Sequence, residues 1–155
     1  SRGLGDVYKR QAPDHDGWFE TGDAGLVNHD GSIRILGRTS DMIITGGEKV
    51  VPSEVESALE SLPGVREALV LGMPDDKWGR IVTALLVSDT DPHPQSDAIV
   101  RGLASRLARW KSPRRIAWVS SLPFTSAGKR SRNPEVLRDL EFDVLHYRHS
   151  TEAPL

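Results

Sequence analysis

Lys129 ends the loop Leu122-Pro123-Phe124-Thr125-Ser126-Ala127-Gly128-Lys129. A lysine on a loop rich in Ser, Thr and Gly can swing its ammonium into a neighbouring active site. There it can offset negative charge that grows in a transition state. An ordinary solvent-exposed lysine fits the same residues equally well. From Arg101 to Arg132 there is no Asp or Glu, while Lys111, Arg114, Arg115, Arg130 and Arg132 join Lys129. Such a block favours an anionic partner, with Lys129 the best candidate for a polyphosphate or cofactor-phosphate site. For most of the arginines a solvated helix face or loop is the simpler account.

Other chemistries lack their residues. Gly128-Lys129 is not a Walker A loop, because no glycine lies five residues earlier and Arg130 stands where Ser or Thr is needed. There is no Gly-x-Gly-x-x-Gly, no cysteine, and no local motif for Ser-His-Asp catalysis. His146 and His149 would share a face if the tail were helical, but zinc needs more ligands, so no metal site is expected. A net charge of −2 argues against a general nucleic-acid binder. No apolar run reaches membrane-spanning length and nothing reads as a signal peptide, so a cytoplasmic location is expected.

The elements that must position these residues follow from pattern. A chain of 155 residues can hold one domain and part of another, with a core that needs no disulfides. Residues 1–11 lack apolar periodicity and are expected to be disordered or non-native. Asp16-Gly17 and Asp30-Gly31 are turn dipeptides. Residues 18–21, 26–27 and 33–36 read as short strands, the last two as a hairpin too small to stand alone. A polar joint at 38–41 precedes a β-rich run, 42–45, that breaks at Gly46-Gly47. A joint followed by a glycine turn suggests a moving part and a backbone close to a ligand.

Ser53 with Glu56 reads as a capping box that starts a helix, stopped by Pro63-Gly64. Residues 68–71 and 81–87 read as buried strands around a turn at Asp75-Asp76. A helix is expected over about 96–110 and a third strand at 116–119. A last helix follows, with Asn133 as its cap and Pro134 as its first residue. Residues 142–155 are weakly patterned. The expected class is α+β, a small sheet flanked by helices.

Six pieces then fall in one order: Thr21-Gly22-Asp23, Gly37-Arg38-x-x-Asp41, Ile44-x-x-Gly47, Pro52-Ser53-Glu54-Val55-Glu56, Pro74-Asp75 with Trp78-Gly79, and Leu122-Pro123-x-Thr125-x-x-Gly128-Lys129. Their order and spacing resemble the C-terminal portion of the adenylate-forming (AMP-binding) superfamily, and the acyl-CoA synthetases in particular. The resemblance covers about residues 14–135.

It implies a two-step reaction. A carboxylic acid and ATP give an acyl-adenylate and pyrophosphate; CoA then gives the thioester and AMP. The small domain rotates between steps and presents a different face for each. Position by position, the resemblance makes Asp23 the ligand of the ATP ribose hydroxyls and Arg38 a second nucleotide contact. Lys129 becomes the lysine that bridges acid and ATP in adenylation. Ser40 takes the hinge position, where the family commonly has Asp or Lys. Gly46, Gly47 and Glu48 belong to the face that closes for thioester formation. Trp78 and Trp110 border the adenine of CoA, and Lys111 lies near its phosphate. A turn-capping Asp23, a surface ion pair at Arg38, an ordinary tight turn at the glycines and core packing of Trp110 are the plain alternatives.

The resemblance also implies the domain plan: 12–39 as a β-hairpin remnant of the large N-terminal domain, 40–141 as the small domain, 142–155 as a tail. The family's phosphate loop, acyl pocket and adenine-stacking aromatic belong to the large domain and are not in this chain. Mg2+ is expected with ATP, bound mainly outside it. The chain alone is therefore expected to be inactive. Two other readings stand beside this one. One is part of a peptide-synthetase adenylation domain or aryl-acid ligase, with a carrier protein as acceptor; the other is a non-catalytic nucleotide-binding module.

Overall fold

The computed structural model describes residues 16–147. The first strands, β1 (Asp23–Val27) and β2 (Ile33–Arg38), form an antiparallel hairpin with a register shift at Ala24/Gly25. Asp30 Oδ1 accepts the Ser32 N–H at 2.9 Å and its hydroxyl at 2.6 Å, which closes the turn. These bonds hold the exposed Asp30 carboxyl below its ordinary pKa, the side-chain bond from Ser32 first. Leu26, Val27, Ile33 and Ile35 on this hairpin are all exposed. The strand expected at 18–21 does not form. Instead Thr21 Oγ1 accepts the Asp23 N–H at 3.1 Å, and the Thr21 carbonyl accepts from Arg38.

A 3-10 turn, Thr39–Asp41, leads to β3 (Ile43–Thr45), the Gly46-Gly47 turn and β4 (Glu48–Val50). β4 was not foreseen, since alternation cannot be read over three residues. The helix α1 (Pro52–Glu60) begins on Pro52, whose fixed φ suits a first helical position. The capping-box expectation fails for that reason. Val51 is the cap, so Ser53 falls inside the first turn and its hydroxyl donates to the Leu36 carbonyl. Glu56 points into the protein instead of back at the cap.

Four strands form the main sheet in the order β5-β6-β7-β8, from β5 (Val65–Asp75), β6 (Gly79–Ser88), β7 (Arg115–Trp118) and β8 (Asp143–Val144). β5 and β6 make a long antiparallel hairpin; β6 and β7 run parallel, linked by a crossover through α2 (Ser96–Ala104). Alternate residues of β5 and β6 feed two cores. Ala68, Val70, Val82, Ala84 and Leu86 pack with α1 and α2 through Val55, Leu59, Ile99 and Leu103. Leu69, Leu71, Leu85 and Val87 pack on the other face with Leu122 and Leu137. Leu59 is fully buried, and its truncation to alanine would cost about 2–5 kcal/mol.

Two helices are shorter than expected. α2 ends at Ala104, and Leu107 reaches the core from a turn whose amide donates to the Leu103 carbonyl. The last helix is only a 3-10 turn, Pro134–Leu137, although Asn133 caps it as expected by accepting the Glu135 N–H at 3.1 Å. The weakly patterned tail contributes β8 and a buried Leu145. His146 lies outside any helix; His149 and residues 1–11 lie outside the described residues.

Candidate functional site

Asp23 and Arg38 are cross-strand partners at the open end of the β1-β2 hairpin. Arg38 Nε lies 3.2 Å from Asp23 Oδ1, and Arg38 also donates to the Thr21 carbonyl. The pair is partly solvated, so it is open to a ligand. The Thr39 N–H donates to the Gly22 carbonyl at 2.8 Å and extends this hairpin contact into the 3-10 turn that carries Ser40. Ser40 Oγ donates to Asp41 Oδ1 at 3.2 Å.

The β3–β4 turn forms a second group. Gly46 has φ +57°, and a Cβ there would stand 2.7 Å from Trp78 Cε3. Its N–H donates to the Trp78 carbonyl at 3.0 Å. The turn thus rests on the indole, and Gly47 and Glu48 are exposed at its tip. Trp78 is itself fixed by Asp75, whose Oδ1 accepts the Lys77 and Trp78 amides at 3.0 and 2.9 Å. The Arg114 guanidinium lies 4.5 Å from the Trp78 ring centroid, a cation–π distance. Arg114 was legible only as one arginine in a basic run.

Trp110 is 41% exposed on a turn, so it is not a core residue. The ammonium of Lys111 lies 5.2 Å from its ring centroid and pairs with both oxygens of Glu54, at 2.6 and 2.8 Å. Lys111 and Glu54 line a groove of about 520 Å³ together with Arg34, Lys49 and Ser57.

Lys129 sits on an ordered turn. The Thr125 N–H donates to the Lys129 carbonyl at 2.7 Å, the Gly128 N–H to the Thr125 carbonyl at 2.9 Å, and the Lys129 N–H to Thr125 Oγ1 at 3.2 Å. A bridge between Phe124 and Arg130 closes its base. Lys129 is exposed, and no ion pair holds its ammonium among the described residues. Its freedom is therefore that of the side chain, not of a loose loop.

Behind the turn lies an arrangement that sequence reasoning missed. β5 is an edge strand. Its Ala68 N–H donates to Glu60 Oε1 at 3.1 Å, and its Val70 N–H to Glu56 Oε1 at 2.8 Å. The Ala68 carbonyl accepts from Arg130 at 3.1 Å, and the Val70 carbonyl from Arg132. Arg132 also pairs with both oxygens of Glu56 and lies 3.5 Å from Asp41 Oδ2. The available signal was a matched spacing: Glu56 and Glu60 one helical turn apart, Arg130 and Arg132 two residues apart.

Among the described residues no group of three His, Asp or Glu stands close enough to hold a metal ion, and no helix is long and apolar enough to cross a membrane.

Comparison with known proteins shows the family of the chain. Residues 54–129 match the AMP-binding enzyme C-terminal domain. The long-chain-fatty-acid–CoA ligase FadD13 of Mycobacterium tuberculosis is 42% identical over 74% of this chain and 22% of its own length. The fatty acid–[acyl-carrier-protein] ligase ScoC of Streptomyces coeruleorubidus is 42% identical over 80% of this chain and 24% of its own. The crystal structure of ATP-bound MatB from Rhodopseudomonas palustris superposes with a TM-score of 0.73 at 37% identity, covering 82% of this chain and 26% of MatB. The chain spans about a quarter of the length of the curated relatives it matches. The chain belongs to the AMP-binding, adenylate-forming enzyme superfamily, whose C-terminal domain it carries, and within that superfamily it is similar to the acyl-CoA synthetases.

Proposed function

We propose that this chain is the C-terminal part of an AMP-forming acid–thiol ligase of the acyl-CoA synthetase type, working in the cytoplasm with a large N-terminal domain. Residues 12–39 end that large domain, Ser40 marks the hinge, and the small domain runs from 40 past the expected boundary at 141 to include β8 and the buried Leu145. In the first step a carboxylate oxygen of the acid attacks the α-phosphorus of ATP. The bond to the β-phosphate oxygen breaks and pyrophosphate leaves. In the second step the thiol sulfur attacks the acyl carbon, the bond to AMP breaks, and the thiol proton passes to solvent.

Asp23 accepts hydrogen bonds from the ribose hydroxyls, and Arg38 holds the same nucleotide. Lys129 places its ammonium against the oxygens that gain charge as pyrophosphate departs. Gly46, Gly47 and Glu48 line the passage for the pantetheine arm, with Trp78, Trp110 and Lys111 toward the adenine and phosphate of CoA. Mg2+ would accompany ATP, held mainly outside this chain. The acid is selected by the large domain.

The observation that carries this reading is the separation of two candidate groups on one small domain. Lys129 stands on a turn rooted at the β5 edge, whereas Gly46 rests on Trp78 at the far turn of the β5-β6 hairpin. Two groups on separate parts of the surface suit a domain that rotates between two steps.

In the complete enzyme, Lys129→Ala should abolish adenylate formation from ATP and acid but spare thioester formation from a supplied acyl-adenylate. Equal activity in both half-reactions would sink the assignment. The isolated chain should not catalyse ATP–pyrophosphate exchange. ScoC, a carrier-protein ligase as similar as FadD13, supports a second reading in which the acceptor is a carrier-bound thiol. Turnover with free CoA and no carrier protein decides between them.

A further inference from the structure

We infer that Arg132 is a positioning residue for Lys129: with Arg130 it seats the lysine-bearing turn on the edge of β5, and it ties that seat to the hinge side through Asp41. The inference rests on the adenylation role proposed for Lys129.

The edge is closed without a strand. Four backbone groups, the N–H and C=O of Ala68 and of Val70, are each satisfied by a side chain. An unpaired strand edge is a template for unwanted pairing, and blocking it would need only charge. The arrangement is more specific than that. Each rung takes one carboxylate from α1 and one guanidinium from the chain just after Lys129, and the two also face each other. Arg130 lies 3.6 Å from Glu60, and Arg132 Nη2 donates to Glu56 Oε2 at 3.2 Å.

The two rungs differ in burial. Glu56 is 7% exposed, whereas the Arg130–Glu60 pair is about one-third exposed on both sides. A buried carboxylate requires its partner, since leaving it unpaired is costly. The Arg132–Glu56 rung is therefore the one that fixes register. Arg130 pairs with Phe124 across the base of the turn, and the Ser131 N–H is held by the Pro123 carbonyl at 2.8 Å. Seating Arg130 and Arg132 on β5 therefore fixes where the turn ends. A shift of one residue would displace Lys129, which directly precedes that base.

Arg132 also reaches Asp41, next to Ser40. One guanidinium thus serves Glu56, the Val70 carbonyl and Asp41. A planar fork with several donors can do this, and a lysine ammonium cannot hold all three in the same geometry.

The test compares the complete enzyme with its Arg132→Lys, Glu56→Gln and Arg138→Ala forms. Arg138 pairs among the described residues with exposed Glu135 on the same segment and serves as control. Both half-reactions and peptide-level hydrogen exchange are measured. Arg132→Lys is expected to lower the adenylation kcat by about tenfold to a hundredfold, the scale of a misplaced group. The rate of thioester formation from supplied acyl-adenylate should be unchanged. Exchange should quicken in peptides covering 39–42, 66–72 and 121–132 and nowhere else. Glu56→Gln should do the same in milder form, and Arg138→Ala should do neither.

Parent-like adenylation with parent-like exchange at 121–132 would overturn the inference. So would equal loss of both steps with faster exchange throughout, which makes Arg132 a stability residue only. If Lys129→Ala leaves adenylation intact, the functional reading fails instead, and exchange at 121–132 in Arg132→Lys still decides whether the seat exists.

Discussion

Asp23 and Arg38 sit opposite each other on β1 and β2, with Arg38 Nε 3.2 Å from Asp23 Oδ1. The two residues assigned to the nucleotide are thus each other's partner before any ligand arrives. Neutralising the pair internally keeps two charges from repelling or misplacing an incoming group. On the proposed assignment, ATP shares Asp23 with Arg38.

From this follows a separation of binding from stability. The pair is partly exposed and is worth about 0–1 kcal/mol to the fold. Asp23→Ala in the complete enzyme should raise the KM for ATP while moving the melting temperature by only a few degrees at most, about what such an energy produces. A KM unchanged from the parent, measured at saturating acid, would remove Asp23 from the nucleotide site.

Gly46 and Gly47 allow a sharper comparison. Both have positive φ, at +57° and +87°, so a side chain at either costs about 1–2 kcal/mol of backbone strain. Only at Gly46 would the new Cβ meet the Trp78 ring; at Gly47 nothing lies within 4 Å. Gly46→Ala should therefore slow thioester formation well beyond Gly47→Ala, with adenylation spared in both. Half-reaction rates for the two variants check this. Equal effects would assign the requirement to the turn's backbone and not to its seat on the indole.

How far the sequence reveals these features depends on whether a residue's role is local. The β1-β2 hairpin, the central strands and the Asn133 cap were legible, because Asp30-Gly31, apolar runs and Asn133-Pro134 act on their own neighbours. Glu56 was misread for the opposite reason. Its spacing from Ser53 is that of a capping box, but its partners, Val70 and Arg132, lie on a strand and a loop far along the chain. The contact of Gly46 with Trp78 was equally invisible, although each residue was selected singly. Arg114 and Arg132 merged into a basic run because charge alone does not tell a solvated arginine from one on an indole or a sheet edge.

Packing yields a third prediction at Gly72. A Cβ there would lie 2.9 Å from Ile43 Cγ2 and 3.0 Å from Arg80 Cδ, where β3 crosses the sheet. Ile43 is 1% exposed and cannot retreat easily. Gly72→Ala should lower stability by about 1–3 kcal/mol, as overpacking does. In the Gly72→Ala background Ile43→Ala, which removes both clashing γ carbons, should cost less than it does in the parent, since the two sites share the contact. Urea unfolding midpoints of the single and double variants check this, and strict additivity would mean that β3 moves aside without strain.

Tyr147 gives the pH prediction. Its hydroxyl donates to the Pro113 carbonyl at 3.0 Å, and the ring packs against the α1/α2 core. Burial pushes its pKa up from 10.0 to about 12, outweighing the hydrogen bond from Ser112 and the charge of Arg114 that pull the other way. Between those values the unfolded chain has lost a proton that the folded chain keeps. The unfolded state therefore binds fewer protons, and stability falls as pH rises. The contribution is fully present below pH 10 and is lost on the way to about pH 12. A shift of this size corresponds to roughly 2–3 kcal/mol. Tyr147→Phe should cost about 1 kcal/mol at neutral pH through the lost hydrogen bond. It should also flatten the alkaline loss of stability measured by urea unfolding from pH 9 to 11, so the parent and variant curves converge as pH rises. Curves that stay parallel over that range would mean that Tyr147 ionises as freely in the folded protein as in the unfolded chain.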